Sequence, residues 1–563
     1  MKIFQNRVLL NVLAIGLFLA FIFFIIKKNQ DKKIIIKYPF NQAVFPPEFP
    51  SPTFEWKYRG SYTGKWSFSV KSDSKLLVDT IVSTTVLKLS EPVWENIKKE
   101  SKGSEVQLII KPLDKYGKAS LVFDISKDSV GAPILYRQMP IPFVLAEENL
   151  DSMNYSLINI GSKEPPHIAM KGFTVCGNCH SFSDKGKYIG LDLDAGLRDK
   201  GGYFVAPVND TIYFNTNNYM SWTQIENRKT FGLFSKLSPD GRYIVTTVKD
   251  RVIHKNFPFE PENLAFSQLF FAVNGLLAVY DRQTGKICEL NGANDEKYVH
   301  TNAIWTPDGK NIIFCRAKAV ERIDSLEINI TEEAVIDEYV QRKRRLQYDI
   351  CIIPFNEGKG GTALPIKGAS NNGKSNYFPA ISPDGKWIVF CQAENFMLLQ
   401  PDSKLYIVPT AGGTAKELSC NLPLMNSWHA WSPNGHWIAF VSKGMSVYTD
   451  LFLTHIDENG NSSAPVLVEK ARKFRQVVNY PEFININAEK TFVMHYDYVE
   501  IAHIQRAVLD HDYEKAKKLF YQFKRQPQRL FIEDYNQLER LMKKIKLDQE
   551  IAWIDTMRER CKQ

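Results

Sequence analysis

Five short segments of this chain share one pattern. They read FSDKGKYIG (Phe182–Gly190), LSPDGRYIV (Leu237–Val245), WTPDGKNIIF (Trp305–Phe314), ISPDGKWIVF (Ile381–Phe390) and WSPNGHWIAF (Trp431–Phe440). A worn sixth copy is INAEKTFVM (Ile486–Met494). Aligning the turn glycines Gly186, Gly241, Gly309, Gly385 and Gly435 gives spacings of 55, 68, 76 and 50 residues. Pro-Asp-Gly is turn chemistry: proline presets φ, and glycine takes the positive φ of a tight hairpin. The run after each turn is apolar and β-branched or aromatic, as a strand between packed sheets must be. Units of this length, each with a hairpin, fit one four-stranded blade of a ring, with insertions in the longer copies. The expected fold is therefore mainly β, with a six-bladed β-propeller over residues 160–497.

The motifs closely resemble the PD40 repeats of the TolB-like β-propeller family, over that same stretch. The resemblance implies the fold and says little about activity, because one architecture serves scaffolds, binders and enzymes. It also implies that the segment before each Pro-Asp-Gly is the innermost strand, with its start near the central channel.

The flanks differ from the repeats. Val8–Ile26 (VLLNVLAIGLFLAFIFFII) carries no charge and is just long enough to cross a hydrocarbon core of about 30 Å. Lys27, Lys28 and Asn29 follow, with no small-residue cleavage site and no lipoprotein cysteine, so residues 1–37 are read as an uncleaved membrane anchor. Lys2 and Arg7 precede the span and Lys27, Lys28, Lys32, Lys33 and Lys37 follow it, a count that favours a cytoplasmic bulk. Long domains translocate largely regardless of charge, and the rest of the chain resembles exported proteins. The expected location is thus the inner membrane, single-pass, with the bulk in the periplasm.

Residues 38–150 hold alternating runs (KWSFSVKS, LLVDTIV, VQLIIKPL, SLVFDIS) and read as a small β-sandwich. Phe54, Trp56 and Trp94 look similar to the core aromatics of fibronectin type III modules. Ile323–Tyr348 reads as a helical insertion, with Glu332, Glu333 and Asp337 ahead of Arg342–Arg345 as the helix dipole favours. From 498 to 563 the apolar spacing turns helical, through Ile501, Ile504, Ala507 and Val508, then Ala516, Leu519, Phe520 and Phe523. Two or three such helices resemble a tetratricopeptide unit, or form a capping bundle.

Chemistry concentrates in VCGNCH. Cys176, Cys179 and His180 spell C-x-x-C-H, the attachment signal for a c-type haem. Both thiols would become thioethers and His180 the proximal iron ligand, with Met170 or Met220 as distal candidates. Two other readings stand beside this one: a short disulfide between Cys176 and Cys179, and free thiols that join histidines at a transition-metal site. Register with the repeats sets His180 over His429 and Cys179 over Trp428, so both imidazoles should lie near a mouth of the channel. His300 lies three residues before the equivalent position. His180, His300 and His429 are then the candidate metal ligands at the rim. Cys315 and Cys391 occupy equivalent strand positions and, with Cys351, read as core thiols.

The net charge of +9 comes from 71 basic and 62 acidic residues that are intermixed, which disfavours a nucleic-acid partner. Neither G-x-S-x-G, H-E-x-x-H nor a Walker motif occurs. The expected function is a membrane-anchored binding or scaffold propeller with an envelope protein as partner, carrying haem for electron transfer. The alternatives are a pure interaction module with structural cysteines and a metal-dependent lyase or hydrolase at the channel mouth.

Overall fold

Each repeat folds first as a self-contained turn. Gly186, Gly241, Gly309, Gly385 and Gly435 all take positive φ, between 61° and 74°. Around them the Ser or Thr before proline works twice. Ser238 donates to Asp240 Oδ1 (2.5 Å) while its Oγ accepts from Tyr243 N (2.8 Å). Thr306, Ser382 and Ser432 repeat both bonds with Asp308 and Asn311, Asp384 and Trp387, and Asn434 and Trp437. The turn thus sets strand register before any distant contact forms.

The computed structural model describes residues 33–563 except 102, 144, 147–151, 173–176, 194–199, 226–228, 258–267, 321–328, 497–500, 526, 528–531 and 561–563. The chain divides into two compact units: residues up to 130 with 160–164 and 453–469, and the remainder.

Among the described residues, six sheets of the larger unit form a ring. From the innermost strand outward, the first holds Gly177–Phe182, Tyr188–Leu193, Gly202–Pro207 and Tyr219–Ser221. The second holds Leu233–Leu237, Tyr243–Asn256, Gln268–Asp281 and Lys286–Glu289. The third holds Tyr298–Trp305, Asn311–Lys318, Asp349–Pro354 and Leu364–Pro365. The fourth holds Ser375–Ile381, Trp387–Ala393, Lys404–Pro409 and Lys416–Glu417. The fifth holds Asn426–Trp431, Trp437–Ser442 and Asp450–His455.

The sixth sheet has a different origin. Its innermost strand is Gln476–Phe483, and its outer three are Ile134–Pro140, Asn154–Ile158 and His167–Lys171. The ring therefore starts well upstream of residue 160, where the repeats alone would begin it, and takes its last sheet from both ends of the domain. Because Ile134–Pro140 fills the place beside Gln476–Phe483, the strand of the worn copy has no room there. It leaves the sheet, and Val493–Tyr496 pairs in parallel with Thr211–Phe214.

Hydrogen bonds join every sheet to the next. Leu237 N donates to Ser181 Oγ (3.1 Å), Trp305 Nε1 to Lys236 O (3.1 Å), Phe378 N to Asn302 Oδ1 (2.8 Å) and Trp431 Nε1 to Ala380 O (3.1 Å). Val478 N donates to Thr449 O (3.0 Å), and Phe182 N to Glu482 Oε1 (3.1 Å) closes the circle. This is a six-bladed β-propeller.

Helices Ile501–Leu509, Tyr513–Arg525, Ile532–Lys544 and Ile551–Arg560 form one cluster around Ile504, Ala516, Phe520, Leu538, Met542 and Ile554. That is at least one helix more than the apolar spacing marks. Among the described residues the insertion is helical at Glu333–Val340; the chain turns at Arg342 (φ 57°), so the basic run lies beyond the helix end rather than capping it.

In the smaller unit, a three-stranded sheet (Ile34–Tyr38, Thr53–Tyr58, Val86–Lys88) accompanies a five-stranded one built on Trp66–Ser72, Val106–Pro112 and Ala119–Ile125. Phe54, Trp56, Trp66, Phe68 and Phe123 are buried, as a sandwich core requires. Trp94 comes from helix Glu91–Glu100, not from a strand, and its indole donates to Phe49 O (2.8 Å). The expected anchor, Val8–Ile26, lies outside the described residues; among the described residues no helix is long and apolar enough to cross a membrane.

Candidate functional site

Every innermost strand carries a β-bulge at the same level. Register slips between Gly177 and His180, Leu233 and Lys236, Thr301 and Ile304, Tyr377 and Ala380, Ser427 and Ala430, and Asn479 and Glu482. In five of the six, one bulge residue is left-handed: Phe234 (φ 59°), Asn302 (53°), Phe378 (51°), Trp428 (43°) and Tyr480 (51°). The first four lie seven residues before the turn glycine, and Tyr480 lies seven before Asn487. Cys179 occupies this level in the first sheet. Only asparagine takes such a backbone readily, so the others store strain on the order of 1 kcal/mol or more each. The bulge turns these side chains and the residues after them toward the axis.

The result is a cup of about 480 Å³ lined by all six innermost strands. Phe378 lines it, and meets Phe234 of the second sheet edge-on at 5.5 Å. Trp305 and Trp431 form wall sections from the third and fifth sheets, each fixed by the indole bond to the preceding sheet. Pro239, Pro307, Pro383 and Pro433, the turn prolines, edge the mouth.

One side of the cup is charged. Lys236 Nζ and Glu482 Oε2 are 3.3 Å apart, with side chains only 18% and 19% exposed. Lys236 also donates to His180 O (3.4 Å) and stands over the Tyr480 ring (5.0 Å). Burial opposes its charge, but Glu482 and then Tyr480 outweigh burial and raise its pKa. Burial raises the Tyr480 hydroxyl. The pair links sheets six and two across sheet one. Lys236 and Glu482 escaped the sequence reading. The available signal was a charge where the aligned copies have Ile304, Ala380 and Ala430.

His180 lies behind this pair, fully buried, among Tyr155, Phe182 and Tyr480, whose rings stand 5.4–5.9 Å away. Among the described residues neither ring nitrogen has a hydrogen-bond partner; Nε2 faces Glu482 Oε2 at 3.8 Å. Burial, then the charges of Lys236 and Arg137, hold its pKa well below the usual histidine value. The Tyr203 hydroxyl is buried and also lacks a hydrogen-bond partner. Cys179 is a free thiol, pushed up to about 12 by burial and then by Asp192. Cys176 lies outside the described residues.

The three candidate rim histidines do not share a site. His429 lines the cup, but its Nε2 is 3.0 Å from Val389 O and its Nδ1 3.9 Å from Cys391 Sγ, in the neighbouring sheet. His300 is buried, with Nε2 3.2 Å from Asp295 O and its ring 5.6 Å from Phe314. Burial lowers both to about 4. Each ring is held by its own surroundings: His429 by a carbonyl of the neighbouring sheet, His300 by the carbonyl of Asp295 ahead of its strand, and His180 by the aromatic rings packed around it. Met170 is buried on an outer strand of the sixth sheet, and Met220 packs with Tyr203, Trp222 and Leu237. Cys315, Cys351 and Cys391 are fully buried strand thiols.

No family model and no curated protein sequence matches this chain. Among solved structures it is similar to TolB from Acinetobacter baumannii, at 12% identity and a TM-score of 0.39, over 80% of this chain and 81% of that one. It is similar to the periplasmic gluconolactonase of Pseudomonas aeruginosa at 11% identity and a TM-score of 0.30 (58% and 81% covered). It is similar to an oligogalacturonate lyase from Vibrio parahaemolyticus at 12% identity and a TM-score of 0.28 (55% and 84% covered). These overlaps are low, and the six-bladed ring rests on the chain's own strand order and closure.

Proposed function

We propose that this chain is an exported, membrane-anchored binding module whose recognition surface is the cup, with an envelope protein as partner. The observation behind this reading is that all six inner strands converge on one cavity, where aromatic Phe182, Trp305, Phe378, Trp428 and Trp431 stand beside polar Ser181, Asn302 and Asn485, while the Lys236–Glu482 ion pair is spent on joining sheets. A cavity that sets aromatic side chains beside hydrogen-bonding groups suits an inserted chain segment or ligand. Photo-crosslinking residues placed at Ile381 and Pro433 in the intact chain test it. Adducts there, and not at Leu364 on an outer strand, are expected; equal yields at all three overturn the reading.

A second reading has its own observation. Among the described residues the buried His180 imidazole has two nitrogens without hydrogen-bond partners, within the C-x-x-C-H stretch. A haem c would be held by Cys176, Cys179 and His180 and would supply one-electron chemistry. A haem stain of the denatured protein, made in a host that ligates haem, is expected to be positive and lost in Cys176→Ser. A colourless protein removes this reading and leaves the first intact.

A further inference from the structure

The end of the ring opposite the cup carries a surface of different chemistry. Three connections meet there: Leu418–Ser427, Val441–Thr449 and Lys470–Val478. Together they expose Arg472, Lys473 and Arg475, leave Lys470 half-buried and Lys443 buried, and contain no aspartate or glutamate, though Asp450 and Glu469 border them. They are joined to one another: Ser442 Oγ donates to Leu424 O (2.8 Å), and Thr449 Oγ1 to Val478 O (2.7 Å). Each presents one apolar tip, Leu424 and Val447 at 41% exposure and Phe474 at 85%. Phe474 stands between exposed Arg472, Lys473 and Arg475, with the Arg475 guanidinium 5.2 Å from its ring. Arg472 is held by Asp450 (2.8 and 2.6 Å), which fixes the base of the loop.

A shaped protein partner is met by a pocket or a continuous apolar face. Here the apolar groups are separate tips among cations, an arrangement that suits a flat, deformable surface with phosphates at one depth and acyl chain below. We propose that this end of the ring rests on an anionic phospholipid surface, with Phe474 inserted at the headgroup boundary and Lys473 and Arg475 among the phosphates.

The test uses the full chain with vesicles of phosphatidylcholine, alone or with phosphatidylglycerol, whose acyl chains are brominated. A Phe474→Trp variant should show an added emission that the anionic vesicles quench about twofold, and Lys473→Glu with Arg475→Glu should abolish the quenching. Tyr116→Trp, at a site 87% exposed in the smaller unit, should give no such quenching. A chain that sediments with the vesicles while the Phe474→Trp indole stays unquenched overturns the proposal and leaves the proposed anchor standing. Equal quenching with and without phosphatidylglycerol overturns the role of the cations. A photo-crosslinker at 474 that yields protein rather than lipid adducts in native membranes assigns the surface to a protein and also overturns the proposal.

Discussion

Acid should loosen the third sheet, and His300 is the reason. Its pKa falls from 6.5 to about 4 in the fold because burial penalises the imidazolium, and Arg316 adds to this, against a partial gain from Asp295 O. The unfolded chain therefore binds more protons than the folded one between those values, so stability present above pH 6.5 is lost as pH falls toward 4. Between pH 7 and pH 5 the loss from this one group is about 2 kcal/mol. Asp250, in the adjoining second sheet, acts with the opposite sign. Burial raises it from 3.8 to about 6, so protonation at pH 5 returns about 1 kcal/mol. Hydrogen exchange of the peptide Tyr298–Lys318, corrected for intrinsic rates, reads the local opening free energy at both pH values. His300→Phe keeps the ring against Phe314 and removes the titration. Its absolute stability will differ from the parent, but its pH 7 to pH 5 change should be smaller by about 2 kcal/mol. If parent and variant lose the same amount, the imidazole does not titrate as argued, and burial is not what sets its proton affinity.

Other outcomes follow from the same geometry. Glu482→Gln leaves Lys236 in the cup wall without its counter-charge and should lower ring stability by about 2 kcal/mol, discounted for partial exposure, with Lys236→Met recovering part of the loss on thermal unfolding. A full loss of folding by the double variant would mean the pair does more than neutralise itself. Native-state alkylation at pH 8 should label exposed Cys288 well before Cys179, whose thiol is held protonated; comparable labelling rates would contradict its buried setting. Gly292 has φ 86°, and a Cβ there would fall 1.8 Å from Gly361 O. Gly292→Ala should therefore cost about 3 kcal/mol or more, read as lost soluble yield or a lower melting temperature.

The ring was legible because its turns are chemical signatures. The five Pro-Asp-Gly-type glycines all adopt the positive φ their type implies, and the register between copies carries through to His180 and His429. The sixth sheet was not legible in the same way. Its outer strands, from Ile134 to Lys171, carry no such turn, and their partner lies more than 300 residues away in sequence. Periodicity is local information, whereas this pairing is decided by which edge remains open once five blades have formed. The cup was half visible. Its rim prolines and tryptophans belong to the repeat, but the bulge is not encoded by residue type: phenylalanine, tryptophan and tyrosine occupy backbone angles they ordinarily avoid. Convergence of the three histidines failed for a related reason, since sequence register fixes the level of a side chain and not the direction it takes after a bulge.

The shared sixth blade also dictates a schedule. During synthesis the strand Ile134–Pro140 emerges with its partner edge bare and must stay so until Gln476–Phe483 arrives, by which time the sandwich and the five intervening blades can already have formed. Emergence of Gln476–Phe483 is thus the moment at which the circle can shut, and any premature stop before residue 476 would leave an open crescent with two sticky rims.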